Sequence, residues 1–281
     1  MNKKKMTILY LGLILSFTLN LIILVFFGKT IYLESKTKVK QIANGNKVKE
    51  TKKDFQYYKG LNFTIKGKFH KEENFSRLPI KYKRVVRSEV WNLSKKSSGI
   101  SIQFETNSPN ILVKWKLSKF SEYLNMSKVC TSGIDLYCFI GNKWQYVSSG
   151  IPSDYKNEQL LISDMDTTSK VFLLNLPLYD GIEKIEIGIK NGFKISKNSD
   201  HFTSKKPIVF YGTSITQGGS ASRPGLAYPS IISRNLNIET INFGFSNNGK
   251  FEKAIGNALC EIDASMYVID CVPNSSPKVI K

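Results

Sequence analysis

Pro207-Ile208-Val209-Phe210-Tyr211-Gly212-Thr213-Ser214-Ile215-Thr216-Gln217-Gly218-Gly219 is the stretch that decides the fold. Its apolar start, Ile208 to Tyr211, is short and unbroken, the pattern of a strand buried on both faces of a parallel sheet. Small and polar residues follow at once and predict a tight bend. Downstream the pattern predicts a helix near Ala227–Leu236, a strand at Glu239–Phe243, a helix over Lys250–Ile262 and a strand at Met266–Asp270. That alternation implies a parallel sheet with right-handed crossovers. A Ser just after the first strand stands at the carboxyl edge of the sheet, where open α/β folds carry their sites. Backbone N–H groups at a helix start favour developing negative charge beside it. Ser214 is then either a nucleophile or the cap of a turn or helix. The glycine spacing excludes a Walker loop and a GxGxxG turn.

Upstream, from residue 55 to about 195, the period is two. Examples are Gly99–Thr106, Asn110–Leu117, Gly133–Ile140, Val171–Leu176 and Ile182–Ile189. Turn signals such as Asn-Ser-Pro, Asp-Gly and Asn-Gly punctuate them, and Gly141-Asn142-Lys143 reads as a hairpin turn. Repeated short strands predict an antiparallel sandwich of about 140 residues. Trp91, Trp115 and Trp144 are open to two readings, stacking on sugars or filling the core, and core burial is favoured.

The chain of 281 residues carries a net charge of +19, with 41 Lys+Arg against 22 Asp+Glu. The excess is densest at the start, where residues 1–54 hold 11 basic and 3 acidic residues. Only five of the basic residues are Arg: Arg77, Arg84, Arg87, Arg223 and Arg234. Lys is the poorer choice for bidentate recognition of phosphate or bases, and no nucleic-acid motif accompanies it. The reading is a Lys-rich surface and no nucleic-acid partner.

Lys3-Lys4-Lys5 precede an apolar run from about Met6 to Phe27. It reaches the ~20 residues that a bilayer span needs and exceeds a signal-peptide core. Residues 1–28 are expected to be a signal anchor and 29–54 a polar tether. The folded part would then sit outside the cytoplasm, in the periplasm or at the cell surface. The alternative is a cleaved signal peptide and a secreted protein. Cys130, Cys138, Cys260 and Cys271 form no CxxC and His is scarce, so no structural zinc is expected. Isolated thiols are favoured over a disulfide.

The blocks PIVFYGTSITQGGSASRPGLAYP, INFGFSNNGK and YVIDCVPN resemble the SGNH (GDSL-type) hydrolases, in the acetyl-esterase-like branch acting on carbohydrate. Ser88–Ser94, Ser132–Tyr137 and Leu176–Gly181 resemble the jelly-roll domain that precedes the catalytic domain in that branch. The resemblance implies a jelly-roll β-sandwich over 55–197. An α/β flavodoxin-like, three-layer hydrolase domain over 205–281 would follow, represented by its N-terminal part only. It implies Ser214 as nucleophile and as one oxyanion N–H donor. A second backbone N–H would come from Asn247 and a side-chain donor from Asn274. No cofactor or metal is implied. The substrate would be an acylated saccharide or another small ester, and a membrane would be met through the N-terminal helix.

Two departures from the family pattern stand out. Asn247 occupies the place of the family's Gly, and Asn tolerates left-handed dihedrals better than other non-Gly residues. The family's Asp-x-x-His block is not found: His70 and His201 both precede Ser214, so no general base is assigned. The expectation is a C-terminally truncated hydrolase. Its third strand would be an unpaired edge and its C-terminal part unstable, and its Ser would be weakly activated. The competing expectation is a catalytically inactive, membrane-tethered carbohydrate-binding sandwich with a remnant hydrolase domain.

Overall fold

Alternating side chains build the first module. The computed structural model describes residues 54–197, 201–202 and 204–276. Ten strands come first: β1 (Phe55–Lys59), β2 (Thr64–Lys66), β3 (Ser101–Thr106), β4 (Ile111–Leu117) and β5 (Ile134–Ile140). Then follow β6 (Lys143–Gly150), β7 (Lys156–Ile162), β8 (Lys170–Asn175), β9 (Ile182–Lys190) and β10 (Ile195–Ser196). One antiparallel sheet has the order β1-β9-β4-β7. The other runs β10-β3-β8-β5-β6, with β2 also pairing β3. Val113, Trp115 and Leu117 of β4 share one core with Phe104 of β3, Leu136 of β5 and Phe172 of β8. Phe104 and Phe172 are cross-strand partners whose rings stack at 5.5 Å. The hairpin at Gly141-Asn142 has φ +58° and +61°, the left-handed pair a two-residue type I′ turn needs.

The second module follows the expected grammar. Strand β11 (Ser204–Gly212) leads to later strands β12 (Ile238–Gly244) and β13 (Met266–Asp270). All pairs are parallel, in the order β12-β11-β13. The helices are, in chain order, α1 (Ser88–Ser94), α2 (Lys128–Ser132), α3 (Ser214–Gln217), α4 (Tyr228–Leu236) and α5 (Lys253–Cys260). Helix α5 starts three residues later than the sequence pattern predicts, because Phe251 sits at φ +55°, outside helical space. Helix α4 stops at Asn237, a left-handed C-cap.

The two modules pack as one unit. The excursion between β2 and β3 carries α1 to one face of the parallel sheet. There Leu78, Tyr82 and Val90 join Tyr211, Phe243, Phe245, Ile255 and Leu259. Helix α1 is only seven residues long, too short for a helical period to stand out in the sequence. Helix α4 packs on β12, and the residue that ends it meets the outer face of the second sandwich sheet: the Trp144 indole N–H donates to Asn237 Oδ1 at 3.1 Å. All three tryptophans pack: Trp115 and Trp144 are buried, and Trp91 lies against the α/β core.

Among the described residues strand β13 is an edge of this sheet. Met266, Tyr267 and Ile269 on it are exposed. All four cysteines are free, with Cys260 alone exposed. The expected anchor and tether lie outside the described residues. Among the described residues no helix is long and apolar enough to cross a membrane.

Candidate active site

Register brings three strand ends together. Gly212 at the end of β11 is level with Gly244 of β12 and with Asp270 of β13. Ser214 lies two residues beyond the first end, Asn247 three beyond the second and Asn274 four beyond the third. One edge of the sheet thus gathers the three site residues expected from the sequence.

Ser214 opens α3. Thr213 is the N-cap, and its hydroxyl accepts the Ile215 N–H at 3.4 Å. The capping role that competed for Ser214 therefore belongs to its neighbour. Ser214 is partly exposed, and among the described residues its hydroxyl has no hydrogen-bond partner. The bend relies on glycine at Gly212, where a Cβ would come within 2.0 Å of Thr216 Oγ1.

The loop after β12 folds back over this turn. Phe245 N–H donates to the Gly212 carbonyl at 2.9 Å, and Ser246 N–H donates to Gln217 Oε1 at 2.9 Å. At Gly249 a Cβ would lie 2.0 Å from the Gly212 carbonyl, so only glycine allows this return. Asn247, at the loop tip, is exposed with φ +59°. Its backbone adopts the left-handed conformation that the family's glycine would supply. Among the described residues its N–H has no partner.

Asn274 ends a short 3₁₀ turn, Val272–Asn274, directly after β13. Its Nδ2 is buried and, among the described residues, makes no hydrogen bond. A buried amide donor without a partner is destabilising, and such groups concentrate where a ligand or reacting group completes them.

The sandwich reaches the same edge. Gln217 Nε2 donates to the Leu178 carbonyl at 3.0 Å, and Ser98 Oγ donates to the Gln217 carbonyl at 2.6 Å. The Tyr179 hydroxyl lies 3.5 Å from the Ser214 carbonyl oxygen. Lys96 Nζ sits 5.1 Å over the Tyr179 ring and donates to the Tyr123 hydroxyl at 3.1 Å. Burial pulls the Lys96 ammonium down to about 8. These residues were not singled out in the sequence. Tyr179 and Gln217 fall inside quoted motifs, but nothing there marks them as site neighbours.

Neither histidine joins the site. His70 Nε2 is 3.0 Å from the Ser76 carbonyl oxygen, and burial lowers the imidazole's proton affinity. The His201 ring packs 5.0 Å from Phe139. Among the described residues no His, Cys, Asp and Glu cluster is arranged to hold a metal ion.

An antiparallel sandwich followed by a parallel α/β sheet, with a Ser on the turn after its first strand, is the arrangement expected of SGNH hydrolase-type esterases. The family model for the N-terminus of these esterases, named for GxDLY, matches residues 33–195. That of the GDSL-like lipase/acylhydrolase family matches residues 205–281. The chain belongs to this GDSL-like SGNH esterase family. A crystallised protein from Bacteroides ovatus described as a GDSL-like lipase is 40% identical, with a TM-score of 0.77 over 80% of this chain and 67% of that one. A salicylyl-acyltransferase from a tetracycline biosynthetic pathway shares the fold at 15% identity. Its TM-score is 0.63, over 80% of this chain and 64% of that one. The chain thus spans about two thirds of the length of each. A comparison with curated proteins finds no match.

Proposed function

We propose that this chain carries the nucleophile and oxyanion hole of a serine esterase acting on acylated saccharides, with acetyl as the acyl group. Ser214 Oγ would attack the ester carbonyl. Three donors would hold the resulting oxyanion: Ser214 N–H, Asn247 N–H and Asn274 Nδ2. The observation that carries this reading is the buried, unpartnered Asn274 Nδ2 on the strand end level with that of Ser214. Each oxyanion donor of this kind is worth ~3–4 kcal/mol of barrier. Saccharide as the acyl carrier rests on the resemblance of the sequence blocks.

We infer that the sandwich is a jelly roll. Its eight principal strands, counted in chain order without β2 and β10, give sheets 1-8-3-6 and 2-7-4-5. Two Greek keys folded together give that interleaving. Among the described residues no His stands beside Ser214. Turnover by these residues alone is expected several orders of magnitude below that of a base-assisted serine esterase.

A fluorophosphonate probe tests the nucleophile directly, because labelling needs one displacement and no turnover; without a base beside Ser214 the labelling is slow and is followed over a long incubation at high probe concentration. Labelling that maps to Ser214 and vanishes in Ser214→Ala is expected. A folded protein that resists the probe, or is labelled elsewhere, overturns the reading. Hydrolysis of p-nitrophenyl acetate, with the same variant as control, then measures how far the chain turns over.

A further inference from the structure

We propose that Arg77 and Arg87, both on the excursion that leaves the sandwich between β2 and β3, are positioning residues for the loop that presents the Asn247 N–H. The proposal rests on the reading of Asn247 as an oxyanion donor.

Among the described residues strand β12 is the other edge of the parallel sheet, so one row of its carbonyls faces away from β11. Carbonyls two residues apart point to the same side of a strand. Those of Asn242 and Gly244 are both taken by Arg77 Nη1. The same guanidinium donates through Nε to the Lys96 carbonyl at 3.1 Å and through Nη2 to the Leu93 carbonyl at 2.7 Å. It also lies 4.7 Å over the Phe245 ring. Arg77 is 1% exposed, and among the described residues it has no carboxylate partner. A charge this deep is held only when its donors are satisfied, and here main-chain oxygens do so. Two of those four oxygens, and the ring, belong to the four residues just before Ser246.

Arg87 takes the far side of the loop. Its Nη1 donates to Asn248 Oδ1 at 2.9 Å and its Nη2 to the Asn248 carbonyl at 3.3 Å. Its Nε pairs with Glu252, at the start of α5. Asn248 Nδ2 in turn donates to the Ser246 carbonyl at 2.9 Å. Asn247 therefore lies between two gripped segments, in a left-handed conformation that Asn tolerates. The sandwich module thereby acts as a structural part of the oxyanion hole.

The test uses the full chain and two readouts. One is the second-order rate of phosphonylation by the fluorophosphonate: the Ser214 Oγ–P bond forms, P–F breaks, fluoride leaves and the hydroxyl proton passes to buffer. The other is the Asn247 amide resonance in a ¹H–¹⁵N spectrum, with the distant Gly141 amide as control. For Arg77→Met a fall of at least tenfold in rate is expected, with a displaced Asn247 amide and an unmoved Gly141 amide. Arg77→Lys is expected to recover part of both, since an ammonium can reach some of the carbonyls without the planar fork. Arg87→Met, at the surface, is expected to fall about threefold and to move the same amide. Either readout unchanged in a folded Arg77→Met or Arg87→Met overturns the proposal. Should Arg77→Met fail to fold, Arg87→Met decides alone. If the unaltered chain is not labelled at Ser214, the esterase reading fails, and the amide shift still decides the positioning role.

Discussion

Asp135, the Asp of Gly133-Ile134-Asp135-Leu136-Tyr137, offers the sharpest test of what joins the two modules. It points outward from β5 and is fully buried. Oδ1 accepts from Asn175 Nδ2 and Oδ2 from the Gly225 N–H, both at 2.8 Å. Arg223 Nε faces Oδ2 at 3.3 Å without hydrogen-bond geometry, and Arg234 packs its guanidinium 4.0 Å from the Tyr137 ring centroid. Asp135→Ala would strip a donor pair and a cation of their acceptor and leave a hole. Breaking a buried pair from one side costs about 3–5 kcal/mol, which in a domain of this size lowers Tm by roughly 10 °C.

Asp135→Asn keeps the shape and part of the hydrogen bonding, so its loss is expected to be about 1–2 kcal/mol. Burial outweighs the partners and pushes the carboxyl up to about 6. The folded state therefore favours the protonated form. Its contribution is fully present below the ordinary value of 3.8 and is lost as pH rises through 6. The wild type should accordingly gain on Asp135→Asn as pH is lowered through 6. Urea melts followed by tryptophan fluorescence, which samples Trp144 at the module interface, give the numbers. A loss under 1 kcal/mol for Asp135→Ala would refute the ionic-lock argument.

Two further outcomes are expected. Asn274→Ala removes a buried unpaired donor, so its Tm should hold or rise while Ser214 phosphonylation slows by about 10²–10³; a parallel loss of both would mark Asn274 as a packing residue. Lys96→Met should raise stability at pH 7 by at most about 2 kcal/mol. The advantage should shrink between pH 8 and 10.5, where the native ammonium deprotonates before the unfolded one; an advantage independent of pH in melts across that range would contradict it.

The sequence spoke most clearly where side chains alone carry the information. Alternation in Ile111–Leu117 is a direct record of inside and outside, and the Met266–Asp270 strand matches its expected bounds to the residue. Strand β7 was not singled out, because its outward residues and its burial lack a clean alternation. Of the site, Ser214 is legible from the strand-and-turn pattern as either a nucleophile or a cap, while Asn247 and Asn274 are legible only through the resemblance of their blocks. Strand register then brought their elements to one edge, and no single-sequence pattern encodes register between strands so far apart. The hold that Arg77 exerts was invisible for a different reason. Its acceptors are main-chain carbonyls, which every residue has, so no residue type at 242 or 244 announces it.

The exposed edge at β13 bears on how this protein behaves in a tube. Among the described residues Met266, Tyr267 and Ile269 present an apolar strand whose outer row of backbone groups has no neighbouring strand, a template for sticking to any like surface. What opposes this is the +19 of the whole chain, which makes every encounter between copies a repulsive one. That protection is long-ranged only in dilute salt, since the Debye length is ~30 Å at 0.01 M and only ~8 Å at 0.15 M. Salt is thus the variable that sets colloidal stability here. Light scattering at fixed protein concentration should stay flat in dilute buffer and climb as sodium chloride is raised, and Ile269→Lys should move the onset to higher salt.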